Sequence, residues 1–228
     1  MLPNNKKDEK LDIQEETASF LDINPKEMKR SLISNIKKQL ILFPISPFTT
    51  DIVLSYKIVY DFLTSNPNKK AVWFSIDKPV NKVIKEFKDN GFDIQDHSER
   101  IIFIDAVSKS IADSKNNKNF TVNFIENPDN LVEISMALQD IFSDPAIEIA
   151  VIDSLNGLLA FNSEKNVLKF MRFLSTIAEE TDTAIISVFY KDEYPKELES
   201  AFQIPCDGLL QVTDDKIVLK KKLETITI

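Results

Sequence analysis

The sequence predicts an α/β fold with three layers, in which a mostly parallel β-sheet carries helices on both faces and continues into a C-terminal antiparallel extension. Two patterns carry this prediction. Short, continuously apolar runs alternate with amphipathic segments of helical period, which is typical of parallel strands buried on both faces. Beyond residue 205 the apolar runs follow one another too closely for crossover helices, so they predict antiparallel strands.

Five apolar runs have the length and composition of buried strands. They occupy residues 40–43, 71–76, 101–105, 148–153 and 184–190. The segments between them place apolar residues at the i, i+3, i+4 and i+7 positions of a helix face. These positions are Val80, Val83, Ile84 and Phe87 in one segment, Leu131, Ile134, Leu138, Ile141 and Phe142 in the next, and Val167, Phe170, Met171, Leu174 and Ala178 in a third.

The two ends of the chain depart from this alternation. Residues 1–23 are charged and aperiodic, so we predict a charged N-terminal arm, flexible or folded as a short helix, ahead of a single domain at 24–228. Residues 24–27, Asn-Pro-Lys-Glu, have the residue types of a helix start. At the other end, the runs GLLQV, KIVL and ETITI, with a turn at Asp214 and Asp215, predict the antiparallel strands.

The composition excludes several classes of function. The chain has 228 residues, of which 43% are hydrophobic, enough for one substantial core. Its net charge of −8 repels phosphate backbones, so nucleic-acid binding is not expected. The single cysteine, Cys206, cannot form an internal disulfide, and neither a signal peptide nor a run of about 18 apolar residues is evident. We therefore expect a cytoplasmic protein without a membrane span.

The segment between the first predicted strand and the next helix has the position of a phosphate-binding loop but not its composition. Such a loop needs Gly where backbone N–H groups close on an anion, Lys against the outer phosphates, and Ser or Thr on the metal. Residues 44–50 read PISPFTT. Aligning Thr49 and Thr50 with the hydroxyl end of the motif puts Phe48 at the Lys position, and both prolines lack an N–H.

Some features of a phosphate site survive in this loop. They are the N-terminus of the helix that begins near Asp51, which carries a partial positive charge, and the hydroxyls of Ser46 and Thr49. A simpler interpretation, which we prefer, is that Thr49 or Thr50 caps the helix, because capping requires nothing else of the sequence.

Three acidic residues, Asp77, Asp105 and Asp153, end predicted parallel strands. Because the carboxyl ends of such strands meet at the ligand crevice, these carboxylates are candidates for one Mg²⁺ site. The alternative is that each one caps a loop or a helix, and we favour this alternative for Asp77 and Asp105. The candidate metal ligands are therefore Asp153 first and Asp77 second. His97 lies in a polar turn without the spacing of a metal site.

The order and spacing of these segments resemble the RecA-like ATPase core, and in particular the single-domain KaiC-like proteins that are common in archaea. That family has a Gly-rich loop ending in Gly-Lys-Thr-Thr, a strand ending in an acidic pair, a Walker B strand ending in Asp-Ser, and an Ala-Asp-Gly strand near the C-terminus. The corresponding segments here read PISPFTT, FSIDKP, AVIDSLNGLL and CDGLLQV, so the resemblance spans about residues 38–213. Asp153, Ser154, Asp207 and Gly208 match the family pattern.

Two departures from the family concern catalysis. Phe48 stands at the phosphate-binding Lys, and Lys78 follows Asp77 where the family has the pair of acids that supplies its water-activating base. Electrostatic stabilisation of the transferred phosphoryl group is usually the largest catalytic effect, and the groups that provide it are missing here. The resemblance therefore implies an ATPase fold with a degenerate Walker A loop and without fast hydrolysis.

We therefore predict a pseudo-ATPase, a non-catalytic RecA/KaiC-like module that acts through protein interaction as a regulatory or scaffold partner of an active ATPase. The resemblance implies that the partner is a RecA/KaiC-like ATPase or a second copy of the chain, because such ATPases assemble head to tail. The predicted vestigial nucleotide site consists of Ser46, Thr49, Thr50, Asp153 and Ser154.

Three alternatives remain open. In the first, the protein binds ATP and Mg²⁺, or hydrolyses ATP slowly, through Asp153, Thr49 and the helix N-terminus. In the second, it is a RecA paralogue of DNA recombination or repair, for which Lys216 and residues 220–222 give local support. Those lysines suit equally well an exposed sheet edge, where they discourage strand pairing. In the third, a sensory domain holds a small apolar ligand in the former nucleotide crevice.

Overall fold

The computed structural model describes residues 20–23, 32, 35–47, 49–108, 119–213 and 216–221. Within these ranges the chain forms nine strands and six complete α-helices. In chain order they are β1 (Phe20–Ile23), β2 (Leu40–Ile45), α1 (Ile52–Ser65), β3 (Lys70–Ser75), α2 (Val80–Asp89), β4 (Ile101–Asp105), β5 (Thr121–Phe124), α3 (Leu131–Phe142), β6 (Ile147–Asp153), α4 (Leu155–Phe161), α5 (Glu164–Glu180), β7 (Ala184–Tyr190), α6 (Lys196–Gln203), β8 (Gly208–Thr213) and β9 (Lys216–Lys221).

All the strands belong to one sheet in the order β1-β9-β8-β2-β7-β6-β3-β4-β5. From β8 to β5 each neighbouring pair is parallel, and β9 pairs antiparallel with both β8 and β1. The register places Ser75 of β3 opposite Asp153 of β6, so the carboxyl ends of these two strands lie side by side. This topology confirms the predicted fold class, a RecA-like parallel sheet with an antiparallel extension.

Helices cover both faces of the sheet, as the continuously apolar strands predicted. Because side chains alternate along a strand, neighbouring residues enter different cores. Trp73 and Val151 belong to the core that α1 and α2 complete. Phe74 and Ile152 belong to the second core, which contains residues of α3, α4, α5 and α6. None of the helices in the described ranges combines the length and the apolar character required to cross a membrane.

Two strands were not predicted from the sequence. Residues 20–23, at the end of the predicted N-terminal arm, form β1 and pair antiparallel with β9, so the sheet begins before residue 24. Strand β5 has exposed residues alternating with half-buried ones, and it lies beside a polar stretch that obscured it. The predicted helix start at 24–27, the turn at 214–215 and the run ETITI lie outside the described residues.

The position of β9 corrects one interpretation of its lysines. Strand β9 is paired on both sides, with Lys220 opposite Phe20 of β1 and opposite Leu209 of β8. It is therefore an internal strand, and its lysines do not serve to discourage pairing at an exposed edge.

Candidate functional site

The candidate site lies at the carboxyl ends of β2, β3 and β6, where the sequence placed its vestigial nucleotide site. The loop after β2 closes on itself as a tight turn. The Thr49 N–H donates to the Ser46 carbonyl at 3.2 Å, and the Thr49 hydroxyl donates to the same carbonyl at 2.9 Å. The turn therefore uses internally a hydroxyl and an N–H that a phosphate would need. Phe48 lies outside the described residues.

The same loop corrects the expectation that Thr49 or Thr50 caps the helix. The N-cap of α1 is Asp51, and no side chain accepts a capping hydrogen bond there. The Asp51 N–H approaches the Thr49 hydroxyl only at 3.5 Å, and Thr50 contributes its carbonyl, which accepts from Val53 N–H at 2.9 Å. Both threonines thus shape the turn, and neither is a side-chain cap.

Asp153 is the last residue of β6 and the central acid of the site. It is 1% exposed, and among the described residues neither oxygen of its carboxylate has a hydrogen-bond partner. The closest cation is the ammonium of Lys78, with 3.9 Å between Nζ and Oδ2. Burial raises the pKa of Asp153 to about 6, and the Lys78 charge acts in the opposite direction. Asp153 is therefore a buried acid with unused acceptor capacity.

Lys78 is held in this position by groups on two helices. Its Nζ lies 3.0 Å from Oε2 of Glu86 on α2 and 3.5 Å from the hydroxyl of Tyr56 on α1. The Tyr56 hydroxyl also donates to the Glu86 carboxylate. Burial, reinforced by the Asp153 charge, raises the pKa of Tyr56, so this hydroxyl stays protonated. At the start of the turn, the Ser75 hydroxyl donates to the Lys78 carbonyl at 2.6 Å.

Aromatic packing fixes Tyr56 beneath this network. Its ring stacks on Trp73 with 5.0 Å between centroids and packs against Phe87 at 4.7 Å. Tyr56 is fully buried, so the hydroxyl has a fixed position from which to bond Glu86 and Lys78. The cluster of Tyr56, Lys78, Glu86 and Asp153 therefore joins α1, α2, β6 and the loop after β3.

Asp77 and Ser154 meet at the N-terminus of α4, next to Asp153 in the site. The Ser154 hydroxyl donates to the Asp77 carboxylate, and it accepts from Gly157 N–H at 3.4 Å as the N-cap of α4. The peptide bond between Asp153 and Ser154 is cis. Burial of the carboxyl group raises the pKa of Asp77, against the effect of the Ser154 hydrogen bonds. Ser154 thus links Asp77 to the helix start.

The carboxylate of Asp105 accepts four hydrogen bonds from neighbouring loop residues and from the start of α2. Its Oδ1 accepts from the N–H groups of Val107 and Ser108, both at 2.8 Å, and its Oδ2 accepts from Val80 N–H at 3.0 Å and from the Ser108 hydroxyl at 2.8 Å. This arrangement agrees with a capping role for Asp105. Within the described ranges, no group of three acidic, His or Cys side chains is positioned to hold a metal ion.

The three predicted acids therefore do not share one site. Asp153 and Asp77 stay candidate metal ligands, and they influence each other electrostatically, since the Asp77 charge raises the pKa of Asp153. His97 has protein partners on both ring nitrogens, with the Thr64 hydroxyl 3.2 Å from Nε2 and Arg100 2.8 Å from Nδ1.

The Asp-Gly element near the C-terminus has a structural role. The Asp207 carboxylate accepts from Leu40 N–H, and the Asp207 N–H donates to the Leu40 carbonyl, both at 2.8 Å. A Cβ atom on Gly208 would lie 2.9 Å from Cδ1 of Ile41 and 3.0 Å from the Lys220 carbonyl. Asp207 therefore attaches the start of β8 to β2, and Gly208 permits the close approach of β9.

Sequence reasoning missed three members of the site. Tyr56 looks like one more apolar position of an amphipathic helix, and Glu86 looks like a solvated acid on α2. Asn156 links α4 to the end of β7, because its side chain donates to the Tyr190 carbonyl at 3.0 Å and accepts from Tyr190 N–H at 2.8 Å. For Lys78 a signal did exist, since it stands where the resembling family has an acid.

Comparison with known proteins agrees with this architecture. Residues 58–226 match the protein family described as ATPase: KaiC. Among curated proteins, no significant match was found. Among solved structures, the KaiC-like protein PH0186 from Pyrococcus horikoshii OT3 has a TM-score of 0.57 and 13% sequence identity, and the match covers 83% of this chain and 82% of that one.

Two further solved structures share the fold. Protein PH0321 from Pyrococcus horikoshii, crystallised in complex with an unknown peptide, has a TM-score of 0.59 and 14% identity, covering 81% of this chain and 84% of that one. The flagellar accessory protein FlaH from Methanocaldococcus jannaschii has a TM-score of 0.54 and 16% identity, covering 88% and 84%.

Proposed function

Because the chain belongs to the KaiC family of ATPase domains, we propose that it is a non-catalytic member that acts through protein interaction, as a regulatory or scaffold partner of an active ATPase. One observation carries the proposal. The Lys78 ammonium lies 3.9 Å from the Asp153 carboxylate. It therefore supplies the positive charge that a bound metal ion would otherwise supply.

An ammonium in this place opposes the binding of a metal ion. A Mg²⁺ ion bound by Asp153 needs an oxygen ligand at about 2.0–2.1 Å and room for several further oxygens. Lys78 would then lie within a few ångströms of a doubly charged cation, and the repulsion would displace it. Displacement breaks its contacts with Glu86 and Tyr56. The protein thus carries its own counter-ion for Asp153, which supports a site closed to Mg²⁺-ATP.

The loop after β2 supports the same conclusion independently. It contains neither Gly nor Lys, and its tight turn uses the N–H and the hydroxyl of Thr49. Phosphoryl transfer depends on preorganised positive groups around the transferred phosphate. Without those groups, the domain would act through surfaces that bind other proteins, and not through catalysis.

The structural neighbours support a role in protein interaction. PH0321 was crystallised with a bound peptide, and FlaH is a flagellar accessory protein. The net charge of −8 favours a partner with basic groups over a nucleic acid. We propose a RecA/KaiC-like ATPase or a second copy of this chain as the partner.

A second candidate is an ATP-binding protein or a weak ATPase. The observation that favours it is the unused acceptor capacity of Asp153, since neither carboxylate oxygen has a hydrogen bond within the described part of the chain. In this candidate, Mg²⁺ bound to Asp153 displaces Lys78, and the hydroxyl of Thr49 or Thr50 contacts a phosphate.

Isothermal titration calorimetry separates the two candidates. The protein is titrated with ATP and with ADP, with and without Mg²⁺, up to millimolar nucleotide, and the Asp153→Ala variant serves as the control. The proposal expects no binding heat. Mg²⁺-dependent binding to the wild type that disappears in Asp153→Ala would overturn it in favour of the second candidate.

The interaction itself is tested by light scattering after size-exclusion chromatography. The chain is measured alone and after co-expression with a KaiC-like ATPase from the same genome. A stable complex, with that ATPase or between two copies, supports the proposal. A strictly monomeric chain that elutes separately from the ATPase contradicts it.

A further inference from the structure

We propose that a cleft at the carboxyl ends of β3, β4 and β5 binds an extended segment of a partner protein, one that carries a bulky apolar residue beside a Lys or Arg. This inference rests on the proposed function, and it identifies the surface through which the protein would contact its partner. The cleft has a volume of about 810 Å³ and is closed on one side by the end of α4. Pockets that hold ligands have about 300–1,000 Å³.

The cleft is distinct from the Lys78 cluster. Its floor is made by Ile76 and Ile125, which belong to the core on the α3–α6 side of the sheet. Tyr56, in contrast, belongs to the core on the α1–α2 side. Asp77 connects the two regions, since it lines the cleft and also accepts from the hydroxyl of Ser154, the residue after Asp153.

The walls of the cleft expose large apolar side chains. Phe161, the last residue of α4, is 57% exposed, whereas Leu155 and Leu158 of the same helix are fully buried. Val107, across the cleft, is 37% exposed. Exposed apolar side chains that converge on one concavity mark a binding surface, because leaving them in water costs free energy that a partner would recover.

The charge of the cleft selects the partner. Asp77 and Glu126 line it, and among the described residues of its lining none carries a positive charge. An anionic ligand would therefore be repelled by these two carboxylates, whereas a Lys or Arg side chain would find a carboxylate at the rim. The apolar walls at the same time call for an aliphatic or aromatic side chain.

The shape of the surrounding surface favours a polypeptide over a small molecule. A second groove of about 570 Å³ runs between α3 and α5, beginning at Asp129 directly after Pro128 of the cleft. The side chain of Asn162 donates to the Pro128 carbonyl at 3.1 Å where the two hollows meet. Val132 and Met136 of α3 line the second groove and are mostly exposed. The two hollows are neighbours on the surface, and an extended segment would contact both.

The test selects random 12-residue peptides displayed on phage against the full-length protein, then measures the enriched sequences as fluorescein-labelled synthetic peptides by fluorescence anisotropy. We expect enrichment of peptides with an aromatic or aliphatic residue next to Lys or Arg. Their Kd should rise at least tenfold in Phe161→Ser and at least threefold in Glu126→Lys. The matched control is Ile204→Ser, because Ile204, directly after α6, is 67% exposed and does not line the cleft, so its replacement should leave the Kd unchanged.

Several results would overturn the inference. They are the absence of enrichment, binding that Phe161→Ser leaves intact, and dimerisation of the wild type that Phe161→Ser abolishes, since a second copy would then be the occupant. Circular dichroism confirms that each variant is folded. Peptide binding that survives Phe161→Ser rejects the cleft but leaves the proposed function standing, while Mg²⁺-ATP binding in calorimetry rejects the proposed function without bearing on the peptide measurements.

Discussion

The Lys78 ammonium and the Asp153 carboxylate face each other across 3.9 Å at the end of β6, although 75 positions separate them in the chain. The distance is too long for a hydrogen bond. It is nevertheless short enough for strong electrostatic coupling, because Asp153 is fully buried. Lys78 bonds instead to Glu86 and Tyr56, so Asp153 receives a counter-charge without a direct partner.

Asp153→Asn should change the pH dependence of stability. The folded-state pKa of Asp153 is about 6, above its ordinary value of 3.8. Below the pKa of the unfolded state, Asp153 is protonated in both the folded and the unfolded protein, and its burial does not reduce the free energy of unfolding. Stability is lost as the pH rises through the pKa of the folded state, because the buried carboxylate must then ionise. We expect the variant to be more stable than the wild type by up to about 3 kcal/mol above pH ~7, and by almost nothing near pH ~3.

Urea unfolding of both proteins at these two pH values measures the difference. Comparing the two proteins cancels the titration of all other groups, which they share. A stability difference that is the same at both pH values would mean that Asp153 ionises as an ordinary acid.

Lys78→Met should destabilise the protein at neutral pH by about 1–3 kcal/mol, because it leaves a buried carboxylate without its closest cation. In the double variant Lys78→Met with Asp153→Asn, the loss should be smaller, with a coupling energy of about 1 kcal/mol. The coupling should vanish near pH ~4, where Asp153 is neutral. Urea unfolding of the wild type, both single variants and the double variant gives this energy directly, and a coupling that persists at low pH would exclude an electrostatic origin.

Two substitutions of Tyr56 separate its hydroxyl from its ring. Tyr56→Phe removes the hydrogen bonds to Glu86 and Lys78 and should cost about 1 kcal/mol. Tyr56→Ala also removes the packing on Trp73 and Phe87 and should cost about 3–5 kcal/mol. Equilibrium unfolding measures both. Equal losses in the two variants would show that the hydroxyl, and not the ring, supplies the stability.

Asp105→Ala should be strongly destabilising. The carboxylate accepts four hydrogen bonds, and its removal leaves the buried Val80 N–H without an acceptor, at a cost of about 1–3 kcal/mol for such a group. Asp105→Asn retains one carbonyl oxygen and should lose less. Thermal unfolding ranks the variants, and an Asp105→Ala variant as stable as the wild type would contradict this structural role.

Gly157→Ala tests how closely α4 packs on the loop after β3. The added Cβ would overlap Oδ1 of Asp77 and lie 2.6 Å from Cγ2 of Ile76, so both side chains must move. We expect a loss of about 1–3 kcal/mol. Adding Asp77→Ala should restore part of it by removing the closer contact. If Gly157→Ala is neutral in thermal unfolding, the contact relaxes without cost.

Much of the fold could be predicted because the information is local. Apolar runs alternating with segments of helical period predicted the five central strands and both helical layers, and β8 and β9 followed from their close spacing. Strand β5 escaped because its alternating exposure and short length resemble a polar loop. Strand β1 escaped because only its pairing with β9, almost 200 positions later, distinguishes it from the charged segment before it.

The sequence by itself determined which chemical groups the protein has. It established the Asp at the end of β6, the loop without Gly or Lys, and the Lys in place of an acid at position 78. Only the tertiary structure decided how these groups are used. In the folded protein, the Asp105 carboxylate accepts hydrogen bonds from its neighbours, whereas the Asp153 carboxylate has no hydrogen bond among the described residues. Lys78 lies beside Asp153. The physical reason is that periodicity records which face a side chain takes within its own element, whereas distances between charges depend on how separate elements pack together.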